Sequence, residues 1–310
     1  MLRPGADDTY ADGDDATWMD VDWPALTYQA EIEGRAVNYV DTGGDGPPLL
    51  FVHGLGALWQ SWLLNIPAFM ETHRVMALDL PGHGRSEMPT APISIQSYAK
   101  TVDALCDHVG IDCPLVVGNS MGGFIGAELA LEYPTRVKKL VLVSAAGLST
   151  EDYKRQPIGA VARTWALGSA AVGSQVDAIA RRPRLRRFAL QSIFRYPEKL
   201  SGPLVIELVT DAAGPGIIPA FEAMVGYSSR DRLAEIEIPV LIVWGQNDVL
   251  VPVYDAEEYE RAIGENARTV TFTDTGHVPM IERPTRFNEL LRDFLAGDPS
   301  PESEVEGVSA

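Results

Sequence analysis

Ser120 stands in the pentapeptide Gly118-Asn119-Ser120-Met121-Gly122. A serine hydroxyl is a weak nucleophile at neutral pH and needs a neighbouring base to take its proton as it attacks a carbonyl carbon. An imidazole suits that task, and Thr275-Gly276-His277 offers one near the end of the chain. Gly245-Gln246-Asn247-Asp248 offers a carboxylate between the two. Such a carboxylate would hold the imidazole in one tautomer and stabilise its charged form. Together the three types perform acyl transfer through a covalent serine intermediate. N–H donors must then meet the charge that develops on the carbonyl oxygen.

The elements that would carry these residues can be read around them. Pro114-Leu115-Val116-Val117 is an apolar strand running straight into the serine turn, and a helix is predicted over 121–131. A strand-to-helix turn of this kind is sharp and strained and lifts the serine oxygen clear of the sheet. Glycines flank it because strand and helix approach too closely for side chains there. The helix N-terminus turns free N–H groups toward the serine.

The same alternation extends along the chain. Strands at 28–32 and 36–40 form a hairpin around Gly34. Pro48–Val52 ends in His53-Gly54, and 74–80 ends in Pro81-Gly82-His83-Gly84. Ser94 is the predicted N-cap of a helix through His108, with Gly110 as its stop. Further strands fall at 137–143, 239–245 and 269–273, with helices over 256–263 and 285–295. Continuous apolar runs suit strands buried on both faces of a parallel sheet, so the expected class is α/β with a mostly parallel central sheet flanked by helices. The expected organisation is a core of residues 27–147 and 236–296, a helical cap inserted at 148–235, a flexible acidic segment at 1–26 and a disordered acidic tail at 297–310.

The formal net charge of −18 argues against nucleic acid or an anionic membrane as the default partner. Much of the acidity lies at the ends, from Asp7 to Asp22 and again at Glu302, Glu304 and Glu306. No apolar run reaches the ~20 residues that span a bilayer, and no secretory leader is visible at the N-terminus, so a cytoplasmic protein is expected. Cys106 and Cys113 read as buried thiols. No metal-ligand spacing is present, so neither a metal nor a cofactor is expected. Asp79 reads as a turn cap, Asp103 lies within a predicted helix, and Ser144 replaces a possible acid with a hydroxyl. Asp248 is therefore the expected acid.

Taken together, His53-Gly54-Leu55-Gly56, Asp79 to Ser86, Gly118 to Gly123, Trp244 to Asp248 and Gly276-His277 closely resemble the α/β-hydrolase superfamily. The resemblance covers roughly residues 28–147 and 236–296. It implies the chain order Ser…Asp…His, a Ser120–His277–Asp248 triad, and an oxyanion hole formed by the backbone N–H groups of Leu55 and Met121. His53, Gly54, Gly118 and Gly122 then read as structural parts of the motifs, as does His83. A serine nucleophile sets the chain apart from the dehalogenase and epoxide-hydrolase branches, which use aspartate.

Ester hydrolysis is the simplest expectation, on a small-molecule ester with an apolar acyl group. The Gly-Asn-Ser-Met-Gly-Gly run also looks like the meta-cleavage-product hydrolases, which break a C–C bond. Those usually carry tryptophan after the histidine, where this chain has Val278. A ligand receptor without turnover is a third reading, since a fold does not fix a function. The cluster from Arg181 to Arg187 is read as a solvated helix face paired with nearby acids, against recognition of an anion.

Overall fold

The computed structural model describes residues 10–11, 16–150, 176–212 and 214–297. Eight strands form one sheet: β1 Thr27–Ile32, β2 Arg35–Asp41, β3 Pro48–Val52, β4 Arg74–Leu78, β5 Leu115–Asn119, β6 Lys139–Val143, β7 Val240–Gly245 and β8 Ala267–Phe272. Their order is β1-β2-β4-β3-β5-β6-β7-β8. β1 and β2 make the expected hairpin, and β2 meets β4 antiparallel. Every pairing from β4 through β3, β5, β6 and β7 to β8 is parallel.

The apolar runs explain the sheet's place in the middle of the molecule. Side chains alternate between faces along a strand. Leu50, Val52, Val116, Leu142 and Trp244 pack into one core, whereas Leu49, Phe51, Val117, Val143 and Val243 pack into the other. A strand with a core on each side must be apolar along its length, and β3, β7 and β5 up to Gly118 are.

The helix Ile95–His108 begins as expected at Ser94, whose hydroxyl accepts from Ser97 N–H at 3.0 Å. The reciprocal bond from Ser94 N–H to the Ser97 hydroxyl, 2.8 Å, closes a capping box. β4 stops two residues earlier than its apolar pattern: Leu80 N–H goes to the His53 ring rather than to a neighbouring strand.

Between β6 and β7 the described residues form the helices Val176–Arg181, Pro183–Leu190, Gly202–Val209 and Ile217–Gly226, with no strand among them. Residues 151–175 of the expected cap, and 298–310 of the expected tail, lie outside the described residues. The pairing read for the arginine cluster is made by Arg187 with Glu198 at 3.4 Å. Arg186 is instead buried and donates to the carbonyls of Ala180 and Glu198. Arg181, Arg182 and Arg184 are exposed.

The N-terminal segment differs from the expectation of a loose acidic arm. Tyr10 and Trp18 are buried, and short helices cover Ala16–Asp20 and Trp23–Leu26. Aromatic anchors decide this: each buries on the order of 150–250 Å², and the aspartates between them do not oppose that. Among the described residues no helix is long and apolar enough to cross a membrane.

Candidate active site

β5 ends at Asn119, and Ser120 takes φ 54° and ψ −118° before the helix Met121–Glu132 begins. Positive φ is strained for a side-chain-bearing residue, so the surroundings must hold it. Ser120 N–H donates to the Val143 carbonyl at 2.9 Å, and the Ser120 carbonyl accepts from Ala146 N–H at 3.0 Å. A Cβ on Gly118 would strike the backbone of Gly122, and one on Gly122 would strike the carbonyls of Val52 and His53. Strand, turn and helix are therefore in backbone contact, which accounts for the glycine spacing.

His277 and Asp248 come from the loops after β8 and β7. His277 Nδ1 lies 2.7 Å from Asp248 Oδ2. The Asp248 side chain is fully buried, and its other oxygen accepts from Leu250 N–H at 2.8 Å and Val251 N–H at 3.0 Å. The His277 backbone is held at both ends: its N–H donates to the Ile193 carbonyl at 2.9 Å, and its carbonyl accepts from Asn119 Nδ2 at 3.2 Å.

Ser120 and His277 line one cavity of about 330 Å³. Gly54 and Leu55 form part of its wall, and helices inserted between β6 and β7 close over it with Leu190, Leu208, Phe221 and Met224. No hydrogen bond from the N–H groups of Leu55 and Met121 to another protein group is made among the described residues, and Leu55 lines the cavity. Among the described residues no Lys or Arg lines the cavity, and no group of His, Cys, Asp and Glu is placed to hold a metal ion.

A strained serine at a strand-to-helix turn and a histidine–aspartate pair, all at the carboxyl edge of one mostly parallel sheet, define the arrangement. A family model for the alpha/beta hydrolase fold matches residues 47–284.

The chain belongs to the α/β-hydrolase family.

It is 34% identical to the dihydrolipoyllysine-residue acetyltransferase component of the acetoin cleaving system of Cupriavidus necator, over 88% of this chain and 70% of that one. It is 31% identical to the 2-hydroxymuconate semialdehyde hydrolase of Pseudomonas sp. strain CF600, over 88% of this chain and 95% of that one. Among solved structures it is similar to the enol-lactonase of Burkholderia xenovorans LB400, with a TM-score of 0.71 and 25% identity, over 87% of this chain and 100% of that one.

The remaining polar residues of this α/β-hydrolase sort by their contacts. The His53 ring is fully buried, and burial pushes its pKa down to about 4. Its Nε2 accepts from Leu80 N–H at 2.9 Å, so Nδ1 carries the proton and donates to the Gly54 carbonyl at 2.7 Å. His53 thus ties the turn bearing Leu55 to the end of β4. Asp79 is a turn cap, accepting from the N–H groups of Trp59 and Arg85 at 3.0 and 3.1 Å and from Asn38. Asp103 pairs with Arg136. His73, His83 and His108 do not line the cavity.

Asn119, Glu282 and Tyr10 were not singled out from the sequence as site residues. Glu282 closes the apolar stretch Val278-Pro279-Met280-Ile281. A carboxylate ending such a run is a signal of burial, and burial demands partners.

Proposed function

We propose that the protein is a serine hydrolase that cleaves carboxylic esters through an acyl-Ser120 intermediate. The observation that carries this reading is the 2.7 Å His277–Asp248 contact at the wall of an apolar cavity that Ser120 also lines. In this reading His277 Nε2 takes the Ser120 hydroxyl proton as Oγ attacks the ester carbonyl. The oxyanion is met by the N–H groups of Leu55 and Met121, each donor contributing on the order of 3 kcal/mol to transition-state stabilisation. His277 then gives its proton to the departing alkoxide, and a water activated by the same imidazole releases the acid. Asp248 keeps the Nδ1–H tautomer throughout.

Similarity to an enol-lactonase supports ester chemistry, since a lactone is a cyclic ester, and similarity to an acetyltransferase supports acyl transfer. Hydrolysis of a C–C bond in meta-cleavage-type diketone acids is the second reading, favoured by similarity to 2-hydroxymuconate semialdehyde hydrolase. It is placed second because Val278 follows the histidine, where the meta-cleavage-product hydrolases usually carry tryptophan.

The test compares a short p-nitrophenyl ester with a vinylogous 1,5-diketone acid. Turnover of the ester, with organophosphate labelling that Ser120→Ala abolishes, supports the first reading. Turnover of the diketone acid alone supports the second. Stoichiometric labelling without steady-state turnover of either would make the protein a receptor.

A further inference from the structure

The backbone of the loop that carries His277 is gripped by one carboxylate. Glu282 is fully buried. Its Oε1 accepts from Gly276 N–H at 2.9 Å and from Val278 N–H at 3.3 Å, the two residues that flank His277. Its Oε2 accepts from Gly276 N–H at 3.0 Å, from Arg195 N–H at 2.8 Å and from the Tyr10 hydroxyl at 2.8 Å. Burial pushes this carboxyl above the usual range, and the donors around it pull the other way.

Tyr10 is fixed in turn. Its oxygen accepts from Tyr196 N–H at 2.9 Å, and its ring packs edge-on against Tyr196 with centroids 5.3 Å apart. The Arg283 guanidinium lies 5.2 Å from the Tyr10 ring centroid. Ala11 N–H donates to the Glu282 carbonyl at 2.9 Å. Tyr10, Arg195, Gly276 and Val278, from three stretches far apart in sequence, therefore converge on one side chain.

We propose that Glu282 is a positioning residue for His277, and that the Tyr10 hydroxyl keys it, so that the N-terminal segment helps set the geometry of the base. This rests on reading His277 as the base. The physical reason is leverage. The His277 ring is aimed by its own backbone, and Glu282 holds the N–H groups of the residues immediately before and after it. A misplacement of about 1 Å in a reacting group can cost on the order of 10²-fold in rate. Glutamine at 282 keeps the volume but replaces one acceptor oxygen with a donor, setting N–H against N–H. Phenylalanine at 10 removes one oxygen and leaves the packing.

The experiment uses the full chain. Tyr10→Phe, Glu282→Gln and Glu282→Asp are compared with wild type by kcat and KM on a short p-nitrophenyl ester. Thermal melting and the low-field proton signal of His277 Nδ1–H in histidine-labelled protein complete the comparison. Tyr10→Phe is expected to lower kcat about tenfold with KM within about twofold, and Glu282→Gln about a hundredfold, with Glu282→Asp between the two. The Nδ1–H signal should shift or broaden in the same order.

A drop in melting temperature with kcat per folded molecule and the Nδ1–H signal unchanged would make the contacts merely structural and overturn the proposal. If Glu282→Gln does not fold, Tyr10→Phe decides. The proton signal needs no turnover, so it separates two failures. No ester turnover with a moving signal sinks the ester reading and keeps the positioning role; turnover with an unmoved signal and unmoved kcat does the reverse.

Discussion

Leu80 donates its backbone N–H to Nε2 of His53 across 2.9 Å, and that bond fixes the tautomer of a fully buried imidazole. The ring is left with one proton, on Nδ1, spent on the Gly54 carbonyl at 2.7 Å. A second proton would break the bond from Leu80.

His53 therefore makes stability depend on acid. Its folded pKa, about 4, is below the unfolded value near 6.5. Its contribution is fully present above about pH 6.5 and is lost as pH falls toward 4, for a total on the order of 3 kcal/mol. His83, lowered to about 3 by burial, acts in the same direction. The buried carboxyls Asp79 and Glu282 are raised and act in the opposite one, so the contribution is isolated by difference. Denaturant melts at pH 7 and pH 4.5 should show a smaller acid loss in His53→Gln than in wild type. Equal losses would mean that the ring is protonated while folded.

Ser120→Gly separates strain from chemistry. A non-glycine residue at φ 54° costs of order 1–3 kcal/mol, and glycine's extra chain entropy costs about 0.5–1 kcal/mol. The strain is larger, so Ser120→Gly should be more stable than wild type by about 1 kcal/mol while losing all turnover. Unchanged or lower stability in urea titrations would show that the turn is not strained.

Asp248→Asn should leave the fold intact, because an amide oxygen can still accept from the N–H groups of Leu250 and Val251. The face toward His277 Nδ1 would then present a donor and favour the wrong tautomer. The expected fall in kcat is about 10³–10⁴-fold, with a melting temperature within a few degrees of wild type. A loss under tenfold would remove Asp248 from the mechanism.

Phe221 lies in the cavity wall on the helix Ile217–Gly226. Phe221→Ala should move the preferred chain length in a panel of p-nitrophenyl esters to longer acyl groups. The lost packing should cost about 3–5 kcal/mol in stability. An unshifted preference would place the acyl group elsewhere in the cavity.

Much of this was legible from the residues alone, for local reasons. A strand with a core on each face has to be apolar along its length, so β3, β5 and β7 stood out. Backbone contact at the turn forces glycine at 118 and 122, so the position of Ser120 stood out as well. The grip of Glu282 and Tyr10 did not, since the two are joined by a hydrogen bond between residues 272 apart in sequence, and no local pattern encodes such a contact. Nor did the packing of the N-terminal segment, where the many aspartates masked two buried aromatics. The cavity wall was obscure because any apolar helix face can serve as one.

The peptide of His277 is strapped on one side to the sheet, through Asn119, and on the other to the inserted helices, through Ile193. Residues 193–196 thus cannot swing away from the cavity without letting go of the imidazole's own backbone. In the proposed reading, the segment that lines the cavity and the residue that would move the proton share one backbone hydrogen bond.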